Sequence, residues 1–231
     1  MKKRILCLLL CALMLLPLVS CKAERYDLLH SEEHDGITYC VRGKKDTPKQ
    51  IVVKEGDQIL WTQKIKVDES VGNLNESFGF EVLDLNFDGH LDLMIAQKAE
   101  GELITYLCWI RSADGYDYQL SEELSSLINI KTDERLKALF SFSRETRREQ
   151  EYGDAEAYDV TTDTATKYLW EDGSLVPEMR ASITYYPKTD RYCYSLSFYD
   201  ETAKQFGDSN DKWLTPEEYR EEDMSFLYYF R

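Results

Sequence analysis

The chain has 231 residues, of which 43% are hydrophobic and 31% charged, enough for one ordinary domain with a real core. With 11 glycines and 5 prolines it falls outside the collagen-like, low-complexity and disordered classes. A formal charge of −15 excludes a protein that grips a nucleic-acid backbone, so no nucleic-acid partner is expected. Sixteen tyrosines against five methionines lean toward strands rather than helical bundles.

The chain opens with basic Met1-Lys2-Lys3-Arg4, an unbroken apolar run from Ile5 to Leu16, and then Pro17-Leu18-Val19-Ser20-Cys21. A basic start, a short apolar run and a small residue before the cut predict a signal peptide over residues 1–20. The run falls short of the roughly 20 residues a membrane-spanning helix needs. Leu18-Val19-Ser20-Cys21 resembles the bacterial lipobox, which implies that Cys21 is lipidated and becomes the first mature residue. The expected location is therefore outside the cytoplasmic membrane of a bacterium, held to it through lipid alone. Cleavage removes three basic residues and no acidic ones, which takes the charge to −18.

Residues 21–35 are polar and charged, and read as a lipidated tether with His30 and His34 solvated. The remaining cysteines, Cys40, Cys108 and Cys193, are odd in number, which allows one disulfide plus a free thiol. Each lies in an apolar or aromatic stretch, so buried, inert thiols are the expectation.

From residue 36 strand signals dominate. Gly36 to Val41 is one; Ile51-Val52-Val53 and Gln58 to Trp61 flank a Glu55-Gly56-Asp57 turn. Phe78–Leu83 and Leu91–Ala96 flank an Asp- and Gly-rich loop, and Leu103–Ile110 follows. Leu120–Leu127 suggests a short helical turn, Asp133–Phe142 is ambiguous, and charged Arg144–Asp154 reads as a loop. Ala157–Trp170, a Glu171-Asp172-Gly173 turn, Met179–Tyr186 and the alternating Arg191–Tyr199 complete the strands. Thr215-Pro216-Glu217-Glu218 has the pattern of a capped helix start. The expected fold is mainly β: an antiparallel meander, sandwich or propeller-like, with a short C-terminal helix. No linker divides 36–231, so one domain is expected.

The loop carries the chemistry. Asp84-Leu85-Asn86-Phe87-Asp88-Gly89-His90-Leu91-Asp92 places oxygen-bearing side chains at positions 1, 3, 5 and 9 and glycine at 6. Calcium takes six to eight oxygens, and alternate residues of a curled loop turn inward to supply them. Asp84, Asn86, Asp88 and Asp92 are the predicted side-chain ligands, with the His90 carbonyl at position 7. Gly89 is expected at positive φ. An EF-hand would have glutamate at position 12, where this chain has Ile95, and helical flanks where this chain has strands. The reading is a structural calcium ion in a strand–loop–strand site.

Val82 to Leu93 resembles the calcium loop of FG-GAP and integrin-type propeller repeats, and more closely that of secreted bacterial proteins that keep a single such loop. Leu107-Cys108-Trp109, Leu120-Ser121-Glu122-Glu123-Leu124 and Trp170 to Leu175 fit the strands and turns that follow it there. Similar architecture occurs in calcium-loop immunity proteins that inhibit lysozyme-like effectors of type IV secretion. The resemblance implies a binding or inhibitory lipoprotein, and the acidic charge suits a basic partner such as a cell-wall hydrolase. A surface adhesin or carbohydrate-binding module is the alternative. An enzyme ranks below both: the chain has three histidines and no G-x-S-x-G, H-E-x-x-H or P-loop, leaving only a carboxylate-based glycoside hydrolase.

Overall fold

The computed structural model describes residues 26–150 and 156–221; the expected signal peptide over 1–20 and the expected lipidation site Cys21 lie outside them. Three antiparallel sheets follow one another along the chain. The first is β1 (Asp27–His34), β2 (Ile37–Lys44), β3 (Thr47–Glu55) and β4 (Gln58–Lys64), paired in that order. Its turns are two residues long, and Asp35 and Gly36 (φ 51° and 80°) adopt the left-handed angles that let a tight turn follow the strand twist.

The tether expectation is corrected here. Residues 27–34 are not a linker but β1, paired with β2 from Asp27↔Gly43 to His34↔Ile37. The strand is hydrophilic because no residue of it is fully buried, so its membership rests on ladder hydrogen bonds rather than apolar alternation. His30 and His34 are correspondingly fixed: their Nε2 atoms stand 3.1 and 3.3 Å from the two carboxylate oxygens of Glu32.

A short 3-10 turn (Glu69–Asn73) leads to the second sheet: β5 (Glu81–Leu83), β6 (Asp92–Glu100), β7 (Leu103–Arg111) and β8 (Tyr118–Leu120). Helix α1 (Glu122–Ser125) follows, with the Ser121 hydroxyl accepting from the Leu124 N–H. The third sheet has seven strands. They are β9 (Lys131–Asp133), β10 (Ala138–Glu149), β11 (Tyr158–Glu171), β12 (Ser174–Tyr186), β13 (Arg191–Asp200), β14 (Gln205–Phe206) and β15 (Asn210–Leu214). Both β14 and β15 pair with β13. Charged residues 144–149, expected in a loop, continue β10 opposite Tyr158–Asp163.

Helix α2 (Pro216–Glu221) closes the described chain. Its start is a reciprocal cap: Glu218 N–H donates to the Thr215 hydroxyl at 3.2 Å, and Thr215 N–H donates to Glu218 Oε2 at 2.7 Å. The fold is thus mostly antiparallel β with a short C-terminal helix, and no sheet closes into a barrel. Among the described residues no helix is long and apolar enough to cross a membrane.

One main core joins the sheets. Ile37, Tyr39 and Val41 of β2 and Ile51 and Val53 of β3 meet Leu93 and Ile95 of β6, Cys108 of β7 and Leu139 of β10. Tyr168, Trp170 and Leu175 pack onto it from the near end of the third sheet. Strand β6 is buried on both faces from Asp92 to Ala96, which explains its continuous Leu-Met-Ile-Ala run. Cys40, Cys108 and Cys193 are buried free thiols, and burial pushes Cys108 up to about 12.

The first sheet turns tightly at Gly43, beside a bulge in β2. A Cβ there would stand 2.0 Å from the Thr47 carbonyl oxygen and 2.7 Å from a Leu29 methyl. Gly43→Ala should therefore cost about 1–3 kcal/mol, read as a lower urea midpoint with an unchanged slope. An unshifted midpoint would mean that the β1–β3 corner yields freely.

Candidate metal site

The 84–92 loop joins β5 to β6, and its alternation divides its work. Leu85 is fully buried, while Phe87 and Leu91 are half-buried against the core. Asp84, Asn86 and Asp88 point the other way and share backbone donors. Asp84 Oδ1 and Asn86 Oδ1 both accept from the Asp88 N–H, at 3.1 and 3.2 Å. Asp84 Oδ2 accepts from the Gly89 N–H at 2.8 Å, and Asp88 Oδ1 from the His90 N–H at 2.8 Å. Gly89 takes the expected positive φ, 90°, and Phe87 also sits at 61°. The loop is wound around its own carboxylates.

Asp92 lies at the base with no exposed surface. One carboxylate oxygen accepts from the Leu85 N–H and the other from the Arg111 N–H, each at 2.8 Å. Burial pushes its pKa up to about 7 against those two hydrogen bonds, and the charges of Asp88 and Asp84 push it further in the same direction. Asp92 therefore ties the loop to the end of β7. Sequence spacing does not mark Arg111, because the donor is a backbone group 19 residues away.

The donor set suits a hard cation: three carboxylates and one amide oxygen, every one already drawn in by backbone N–H groups, with no sulfur or imidazole nitrogen required. Each carboxylate oxygen spends one lone pair on these bonds and keeps another. The structure does not gather the acids into a finished ligand cluster. Among the described residues no three His, Cys, Asp or Glu side chains form a group that would hold a metal. The Asn86 amide instead donates to Asp88 Oδ2 at 2.9 Å, so an N–H satisfies an oxygen that a cation would take. His90 contributes its backbone N–H to the winding, which leaves its carbonyl as the group available to an ion.

No family model matches the chain, and no curated protein is significantly similar to it. Among solved structures it is similar to a Xanthomonas type IV secretion system related protein. The two share 15% identity and a TM-score of 0.47, over 81% of this chain and 87% of that one. A likeness at that level gives no guide to partner or activity.

Two outcomes are expected from the loop. Extracellular calcium modules have dissociation constants of roughly 10⁻⁴–10⁻³ M, so about 2 mM calcium would stabilise the fold by about 0.7–1.8 kcal/mol. Melting temperature should then rise by a few degrees over chelator, and Asp88→Ala should abolish the rise. A parent protein with the same melting curve in both would sink the site.

The second outcome concerns pH. In chelator the folded-state pKa of Asp92 is raised above its unfolded value, so its contribution is complete below about pH 4 and is lost as pH rises through about 7. Chelated protein should therefore melt lower at roughly pH 8 than at pH 5, by up to a few kcal/mol of stability, and Asp92→Asn should flatten that slope. Calcium favours the ionised carboxylate and should restore more stability at pH 8 than at pH 5. A chelated protein whose stability rises over this interval would contradict the assignment.

Proposed function

We propose that the chain is a lipid-anchored envelope protein that binds and inhibits a protein partner, with calcium as a structural ion in the 84–92 loop. The observation that carries this reading is the winding of the loop onto a fully buried Asp92, which fixes an exposed acidic turn to the core of the second sheet. Loops held rigidly on a sheet scaffold are where recognition concentrates. Calcium would be held by Asp84, Asn86, Asp88 and Asp92 and by the His90 carbonyl, and would supply charge neutralisation where three carboxylates crowd one turn.

Binding is favoured over catalysis by the state of the histidines. His30 and His34 are both held by Glu32, and the His90 backbone belongs to the winding of the loop. A net charge of −15 suits a basic partner such as a cell-wall hydrolase, and the loop's resemblance to calcium-loop immunity proteins supports the inhibitory role.

The test is capture by the full chain, in detergent and millimolar calcium, from the host's envelope and secreted fractions, followed by activity assay of what is captured. A hydrolase silenced at equal stoichiometry, with affinity that falls as salt is added, is the expected result. A captured hydrolase that keeps its activity, or a folded protein that captures none, would overturn the inhibitory reading.

A further inference from the structure

The outer edge of β10 is a surface that shares no residue with the calcium loop. Strand β9 covers β10 only opposite residues 138–140. Just before β9 the chain lies against β7, where Ile128 bridges to Thr105. The Phe142 N–H donates to the Ile128 carbonyl at 2.9 Å, and with that bond the cover ends. Pairing of β10 with β11 runs unbroken from Ala138 to Glu149, so alternation fixes which backbone groups face outward. They are those of Arg144, Thr146 and Arg148, in phase with Phe142. Among the described residues no strand pairs with them, and residues 143–148 are all exposed.

Where the cover ends, the edge opens into a cleft of about 340 Å³. Its walls include Leu103, Ile104, Tyr106, Ile130 and Phe142. Arg144 turns toward β11 and holds both carboxylates of the cleft, Asp163 through Nε at 2.6 Å and Glu102 through Nη1 at 2.8 Å. Lys131 enters no ion pair among the described residues, and its ammonium stands 5.2 Å from the centre of the Phe142 ring. One cation is thus left open at an apolar cleft, beside a row of unpaired backbone groups, in a chain whose net charge is −15.

A strand added to this edge is constrained at one end. Running antiparallel to β10, as β9 and β11 do, it cannot pass Phe142, whose outward N–H is already spent on Ile128. The end that meets the cleft is its C-terminal end. A last residue opposite Arg144 has its side chain on the face that carries Phe142 and Lys131, so its carboxylate meets the open ammonium. An internal segment would have to turn at Ile128 and would bring Lys131 no terminal charge. A second copy fits badly. Two-fold pairing centred on Glu145 or Arg147 sets like charges opposite each other. Pairing centred on Thr146 sets Arg144 against Arg148 on one face for each Glu145–Arg147 contact on the other.

We propose that β10 accepts the C-terminal segment of another protein as an added antiparallel strand, with an apolar last side chain in the cleft and the terminal carboxylate at Lys131. Backbone pairing with Arg144, Thr146 and Arg148 supplies affinity, and the cleft and Lys131 select the partner.

Full-length protein in detergent is titrated calorimetrically with three acetylated hexapeptides, Thr-Glu-Thr-Thr-Thr followed by valine, leucine or phenylalanine with a free carboxylate. At least one should bind. Amidating its C-terminus should weaken binding by about 10-fold, and Lys131→Gln should weaken the free acid as much while leaving the amide unchanged. N-methylation at the fourth and sixth residues, whose N–H groups face β10, should abolish binding. At the third and fifth, whose N–H groups face solvent, it should not. The proposal fails if none of the free acids binds, if the amide binds as tightly, if Lys131→Gln weakens acid and amide alike, or if the two N-methylation patterns act alike. Decanoate bound where no peptide is would reassign the cleft to an amphiphile. The titration uses neither calcium nor a captured hydrolase, so its failure is distinct from failure of the inhibitory reading.

Discussion

A carboxylate with no exposed surface, accepting one backbone N–H from its own loop and one from a neighbouring strand, is the constraint on which the second sheet is organised. Removing such a group from water costs several kcal/mol, and only good hydrogen bonds and a counter-charge offset that. Asp92 has the hydrogen bonds, from Leu85 and Arg111. Its nearest charges, Asp88 and Asp84, have the wrong sign. Burial and these like charges together push Asp92 toward its protonated form, and the divalent cation proposed for the loop would favour the ionised one instead. The packing agrees: Leu85, Phe87 and Leu91 turn inward toward the core that Leu93, Ile95 and Cys108 build, so the loop cannot relax outward to separate its charges without losing apolar burial.

Much of this was legible in the sequence because it rests on local rules. The Asp84–Asp92 spacing, the glycine at positive φ, the Asp172-Gly173 turn and the reciprocal Thr215–Glu218 cap each need only a few contiguous residues. What escaped rests on pairing. Strand β1 lacks apolar alternation, and its eight residues are recognisable only through their partner β2, although Asp35-Gly36 is a turn signal that points to a strand on either side. The outer half of β10 is charged because it lies where the sheet has left the core, so a charge run marks exposure there rather than a loop. The shared face of Tyr186 and Trp213 is further still from any motif, since the two strands meet only through their common partner β13.

The third sheet differs from the other two in how it is stabilised. The first two bury one continuous apolar core between them, and the third contributes to it mainly through Leu139, Tyr168, Trp170 and Leu175 at one end. From Trp170 to Tyr158 strand β11 runs thirteen residues, roughly 40 Å of extended chain at about 3.3 Å per step, beyond what that core covers. A smaller cluster of Ala138, Phe140, Phe142 and Ala165 supports the first part of this distance on the opposite face. Past it, apolar burial is local, at Val160, Ile183 and Leu214, and cross-strand pairs add to it: Thr146 with Thr161, Thr162 with Thr184, and Arg144 held by Asp163 and Glu102.

Past the main core the sheet buries its apolar side chains singly, and each such cross-strand pair contributes only about 0.2–1 kcal/mol. Long strands with solvent on their faces also carry a risk of edge pairing, which the Asn210-Asp211-Lys212 stretch of the outermost strand β15 limits by charge. The extension places Tyr186, Arg191 and Trp213 on one face, with rows of hydroxyls from four strands further along it. The two ends of the molecule are thus built on opposite principles. At one, a buried acid draws a loop into the core; at the other, a half-exposed Trp213 and the Tyr186 ring stand on a sheet that runs past the main core.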